Sequence, residues 1–154
     1  MKKLIAWLNK NDYTHKPAYY SGNYFYNVPE IRKEAAEIEI KSDVLKEVKE
    51  KADKLRKYAA RYNYIIKHES RLNCNVYGEY TIYFYIMPEA DAATLEHYYF
   101  YADAARAECE LLIHEYHKAG KHQTHAAELN AALKIIMDKY GALYNRSLIK
   151  IIAA

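Results

Sequence analysis

Apolar positions fall into two rhythms along this chain. In one rhythm they recur every three or four residues, the spacing of one helix face. Leu45, Val48, Ala52, Leu55, Ala59 and Tyr62 form such a stripe, with Ser42 or Asp43 placed to cap the helix that carries it. A longer stripe, Leu95, Tyr98, Ala102, Ala105, Cys109, Leu112 and Tyr116, predicts a helix over about 90–118, and Gly120 provides its C-terminal stop. Thr124 is placed to cap a last helix striped by Leu129, Leu133, Ile136, Tyr140 and Leu143. Gly141 costs that helix ~1 kcal/mol relative to Ala, which leaves a break there open. Residues 2–10 read as a short amphipathic helix.

The other rhythm is alternation. "AEIEIK", residues 36–41, predicts a strand with Ile38 and Ile40 inward. Residues 29–35 are ambiguous, and a helix starting at Pro29 competes with the strand. Two further strands are predicted over about 63–69 and 79–87, joined by a turn near Asn73–Gly78, with Pro88 ending the second. "AYYSGNYFYNV", residues 18–28, reads as a hairpin turning at Ser21-Gly22-Asn23, where Gly22 can take φ > 0. Two helices joined by a short turn lie antiparallel. The fold class is therefore α+β in a single domain, 1–154. A small, mostly antiparallel sheet packed with one helix occupies 17–87, and a long antiparallel helical hairpin occupies 89–152.

"YTIYFYI", residues 80–86, sends Tyr80, Ile82, Phe84 and Ile86 to the core and Thr81, Tyr83 and Tyr85 to the other side. That open face is predicted to collect Glu37, Glu39, Lys41, Ile65, Lys67, Glu69 and Glu79 as well. Bases stack on exposed aromatics of RNA-binding sheets, but four carboxylates here stand where phosphates would pass. Tyrosine suits a half-wet surface, since its ring buries area while its hydroxyl meets water or a partner. The chain holds 18 Tyr in 154 residues, so cross-strand packing and a protein interface are the two leading readings of Tyr83 and Tyr85.

Charge is uneven although the formal net is only +3. Six basic residues and one acid fall between Lys54 and Arg71. The i,i+4 pairs Glu47–Lys51, Glu50–Lys54 and Asp53–Lys57 are expected to use part of the charge on this helix. Lys49, Arg56, Arg61, Lys67 and Arg71 remain as a candidate nucleic-acid patch. Seven acids and Arg106 fall between Glu89 and Glu115. Among them Glu96, Asp103 and Glu110 repeat every seven residues on one outward flank, a candidate partner-binding stripe. Phe100 faces away from the core stripe in "HYYFYAD", so it is either enclosed or an exposed anchor.

His114, His117, His122 and His125 cluster at the helical turn, but "HEYH" lacks the i,i+4 spacing of the zinc-protease HExxH. No metal and no cofactor is expected. Cys74 and Cys109 form no CxxC and fit a reducing cytosol. The opening apolar run stops at Leu8, too short for a signal peptide, and no stretch suits a membrane span. There is no GxSxG and no phosphate-cradling glycine loop, so no catalytic residue is nominated and the chain is not expected to be an enzyme.

Three stretches, "IAWLNKNDYTHKPAYYSGNYFYNVP", "ECELLIHEYHKAG" and "ELNAALKIIMDKYGALYN", give the chain its resemblance to small accessory proteins carried by phages and mobile elements of gut Firmicutes, a group that includes anti-CRISPR inhibitors. The resemblance is one of style and length and transfers no site. It implies a stoichiometric inhibitor acting in the cytoplasm of a bacterial host on a protein partner such as a CRISPR nuclease. The function expected is thus a non-catalytic protein-binding inhibitor or adaptor. The alternative is a small nucleic-acid-binding accessory protein using the basic helix patch. A homodimer is left open.

Overall fold

The computed structural model describes residues 1–22 and 30–153. Its elements run α1 (Lys2–Lys10), β1 (Thr14–Gly22), β2 (Ile31–Ser42), α2 (Leu45–Arg61), β3 (Tyr64–Glu69), β4 (Asn73–Cys74), β5 (Tyr80–Pro88), α3 (Glu89–Lys118) and α4 (Ala126–Ala153). The fold is α+β, with an antiparallel five-stranded sheet and a C-terminal helical pair. Strand order is β1-β2-β5-β3, with β4 also on β5. The two compact units are residues 1–20 with 32–93, and residues 21–31 with 94–154.

The first unit is a sheet with α1 and α2 on one face. Its core joins Leu4 and Leu8 of α1, the α2 stripe Val48, Ala52, Leu55 and Ala59, and the inward sheet residues Ala36, Ile38, Ile40, Ile82, Phe84 and Ile86. The β2–β5 register sets Ile38 opposite Phe84 and Ile40 opposite Ile82, which is why alternation in both strands supplies one apolar face. Both preceding helices end at polar residues in the left-handed region, Asp12 (φ 56°) and Asn63 (φ 57°). Short polar side chains tolerate that conformation best after glycine. At Asp12 the motif is complete: the Tyr13 amide donates to the Leu8 carbonyl at 3.0 Å.

The second unit holds the helical pair. Tyr98, Ala102, Ala105 and Tyr144 are buried at its centre, with Tyr101, Met137, Tyr140 and Leu148 packed around them. Tyr98 meets Tyr144 edge-on at 5.5 Å. Tyr101 Oη lies 3.0 Å from Ser147 Oγ, while Lys139 and Tyr140 both reach Glu108, so α3 and α4 run antiparallel. Gly120 (φ 68°) ends α3, with Lys121 N–H donating to Tyr116 O at 2.9 Å.

Several local expectations are corrected. β2 starts at Ile31, so no helix occupies 31–35; residues 23–28 of the expected 18–28 hairpin lie outside the described residues. Gly22 belongs to β1 and does not take a left-handed φ. It is needed for space, because a Cβ there would overlap the Tyr98 ring, with Cδ1 only 2.7 Å away. α4 passes through Gly141 unbroken. Val44, not Ser42 or Asp43, holds the cap position of α2. Ser42 Oγ instead accepts from the Val44 amide and donates to Glu47. That draws Glu47 toward the helix start, and the other expected i,i+4 pairs give way too. Lys51 donates to the Asp12 carbonyl and Lys54 to Asn11 Oδ1 at 2.6 Å, while Asp53 takes Arg56.

Candidate partner-binding surfaces

The open sheet face is a ladder of tyrosine–carboxylate pairs. The register puts Glu37 opposite Tyr85 and Glu39 opposite Tyr83. Tyr85 donates to Glu37 at 2.7 Å and Tyr83 to Glu39 at 2.8 Å. Lys16, from edge strand β1, adds an ion pair to Glu37 at 2.9 Å. Lys16 and the Tyr85 hydroxyl hold the Glu37 carboxyl below its ordinary pKa. The bonded carboxylates push both tyrosine phenols up, because ionising them would place two anions together. The hydroxyls are thus engaged within the face, and Tyr83 as a whole residue is 38% exposed.

This face differs from the expected one at β3. Pairing shifts between Ile66 and His68, with Ile66 opposite Ile86 and His68 opposite Tyr85. Lys67 is the extra residue of this bulge, and everything after it changes side. His68 therefore joins the open face, its ring 5.9 Å from Tyr85. Glu69, expected on that face, turns to the helix side and binds Arg56 at 2.5 Å.

That contact reshapes the basic patch. Arg56 bridges Asp53 and Glu69, which raise its pKa, Glu69 foremost. Lys49, Arg56 and Arg71 do line one groove, but Asp53 and Glu69 line it with them. Arg61 stacks over the Tyr62 ring instead, and Lys67 sits in the bulge. Of the five candidate residues, three share a groove whose central cation is already neutralised.

The outward face of α3 brings the acidic row and the odd aromatic together. Tyr98 is fully buried, Tyr99 donates to Ser21 O at 2.9 Å, and Tyr101 meets Ser147. Phe100 alone of these four is open, with 68% of its surface exposed. It lies between Glu96 and Asp103 at the i,i+4 and i,i+3 spacings that bring side chains to one face. Arg106 interrupts the row, reaching Asp103 at 3.2 Å and Glu110 at 3.9 Å. Spacing alone reveals this, since Arg106 is three residues after Asp103 and four before Glu110. Further along, Leu111 is 61% exposed.

Sequence reasoning overlooked one more surface, the tip of the β4–β5 turn. Val76 is 93% and Tyr77 90% exposed. Asn75 Oδ1 accepts from the Tyr77 and Glu79 amides at 2.9 and 3.0 Å, and Gly78 takes φ 81°. At the helical turn, His117 and His122 stack at 4.1 Å. Among the described residues no group of three or more His, Cys, Asp or Glu is gathered as a metal site. No helix of the described residues is long and apolar enough to cross a membrane. Comparison with protein-family models, with curated proteins and with solved structures finds no match.

Proposed function

We infer that the protein is a non-catalytic binding module, an inhibitor or adaptor that offers the outward face of α3 to a protein partner. The observation that carries this is Phe100, two-thirds exposed on a helical turn whose other three aromatics are buried or hydrogen-bonded. Aromatic side chains surrounded by polar neighbours are the usual anchors of interfaces. Glu96 and Asp103 flank this one, and Glu110 continues the row, each carboxylate ~10.5 Å along the axis from the next. Arg106 tempers the row without reversing its sign, and complementary charge on a partner would speed its association. A partner with an apolar pocket in a lysine- and arginine-lined groove meets these terms. A nucleic-acid enzyme has such a groove, which agrees with the resemblance to phage-borne inhibitors of bacterial defence nucleases.

The test is inhibition and capture of CRISPR nucleases by the whole chain, with Phe100→Ala and Glu96→Lys as controls. Neither residue is in a core, so both variants should keep their stability within about 0.5 kcal/mol. We expect a nuclease-resistant complex with one protein, slowed in association by Glu96→Lys and weakened by roughly ten-fold or more by Phe100→Ala, the loss of an anchor. Binding untouched by both variants would sink the α3 assignment. Co-purification of nucleic acid alone, released by salt, would favour the groove of Lys49 and Arg71 instead.

A further inference from the structure

The face of α4 turned away from α3 bears a pattern that its own fold does not use. Tyr140, Tyr144 and Leu148 face α3. On the opposite side Ala131, Ile135, Asp138, Ala142, Arg146, Ile149 and Ala153 follow one another at steps of three and four, and every one is exposed. Ile135 is 69% and Ile149 67% open. This row is symmetric about Ala142. Four residues before it stands Asp138, and four after it Arg146. Seven before is Ile135, and seven after is Ile149. Eleven before is Ala131, and eleven after is Ala153.

We propose that this face pairs with the same face of a second copy of the chain, antiparallel, about a two-fold axis at Ala142. In such an isologous contact, a residue a given distance before the axis meets the residue equally far after it on the other copy. Ile135 then meets Ile149 twice, Ala131 meets Ala153 twice, and Asp138 meets Arg146 twice. The small Ala142 side chains at the crossing let the helices approach closely. A parallel pairing would set Asp138 against Asp138 and Arg146 against Arg146, so the charges select the antiparallel one. Their present contacts are easily exchanged: Asp138 is 3.8 Å from Lys134, and Arg146 Nε is 3.4 Å from the Ala142 carbonyl of its own helix. One helix from each copy makes an interface at the small end of specific contacts, so the dimer should dissociate on the order of micromolar concentrations.

Sedimentation velocity over a range from low to high micromolar tests this, with circular dichroism to check helix content. Wild type should pass from monomer to dimer. Asp138→Arg and Arg146→Asp each set like charges against each other and should weaken the dimer by roughly ten-fold or more. The double variant, Asp138→Arg with Arg146→Asp, restores opposite pairs and should return dimerisation to within about three-fold of wild type, a rescue that a merely structural role for either residue would not give. A chain that stays monomeric throughout, or a dimer indifferent to the single changes, or a double variant no better than the singles, overturns the proposal. None of these variants touches the α3 face, so the outcome is independent of the partner assigned to Phe100.

Discussion

Gly22→Ala sets two effects of opposite sign against each other. Gly22 lies in strand β1 without a left-handed φ, so alanine suits its backbone. Replacing a strand glycine reduces the freedom of the unfolded chain and should stabilise by about 0.5–1 kcal/mol. Against this, the added Cβ would overlap Tyr98, with ring atoms Cδ1 at 2.7 Å and Cζ at 3.1 Å. The ring is not the far end of a free side chain. Tyr98 is fully buried, held edge-on against Tyr99 at 5.8 Å and Tyr144 at 5.5 Å. Overpacking of this kind costs about 1–3 kcal/mol, so the overlap wins and the net loss should be about 1–2 kcal/mol. For a chain of this size that lowers Tm by about 2–8 °C. Differential scanning calorimetry reads it, and a double-mutant cycle assigns the cause. In a Tyr98→Ala background the overlap is gone, and Gly22→Ala should become neutral or stabilising. A Gly22→Ala protein more stable than wild type, or one equally destabilised in both backgrounds, would refute the packing argument.

Two further predictions rest on single residues. Tyr13 is buried and donates to the Lys51 carbonyl at 2.8 Å, and burial pushes its phenol up to about 12. Its neutral form is thus favoured in the folded state, so this contribution is complete below pH ~10, the unfolded value, and is lost as pH rises through about 12. Alkaline titration of stability should show a fall in which several raised tyrosines share, and Tyr13→Phe should remove a part of it on the order of 2 kcal/mol; an unchanged slope would contradict it. Gly120→Ala places a Cβ at φ 68° and should destabilise the end of α3 by about 1 kcal/mol, seen as faster amide exchange around residues 116–121, and equal exchange in the variant would count against the cap.

The periodic segments were legible in the sequence because each element's pattern answers to its own core. The α2 stripe from Val48 to Ala59, the α3 stripe through Ala105 and the inward residues of β2 and β5 all lie where the period puts them, whereas Tyr62, the last residue of the predicted α2 stripe, falls past the helix end and is half exposed. What failed was local. Alternation assumes an unbroken pleat, and the bulge at Lys67 exchanges the sides of His68 and Glu69. That one residue moves a carboxylate from the open face to Arg56 and neutralises the centre of the expected basic patch. Lys16 was missed because an ion pair across neighbouring strands requires knowing that β1 lies beside β2. The pairing of Tyr83 and Tyr85 with glutamates, by contrast, follows from parity alone once β2 and β5 are neighbours. Phe100 was placed on the outward flank by its position, but only the packing around it decided between enclosure and exposure.

The central place of β5 has a consequence for the order in which the sheet assembles. β5 pairs with β3, a near neighbour in sequence, and with β2, from which it is separated by all of α2, β3 and β4. Closing the longer loop costs about 0.6 kcal/mol more for each doubling of its length. It also yields no contacts until the register from Ala36–Ile86 to Ser42–Tyr80 is found. The β3–β5 hairpin, with its short β4 extension, is therefore the cheaper nucleus. α2 lies next to it in the chain and can cover its apolar face early. β2 then docks onto a prepared edge and brings β1 with it. In this sequence of events, Glu37 and Glu39 meet their tyrosines only at the last closure, so the ladder belongs to the finished protein and should contribute to slow unfolding more than to fast folding.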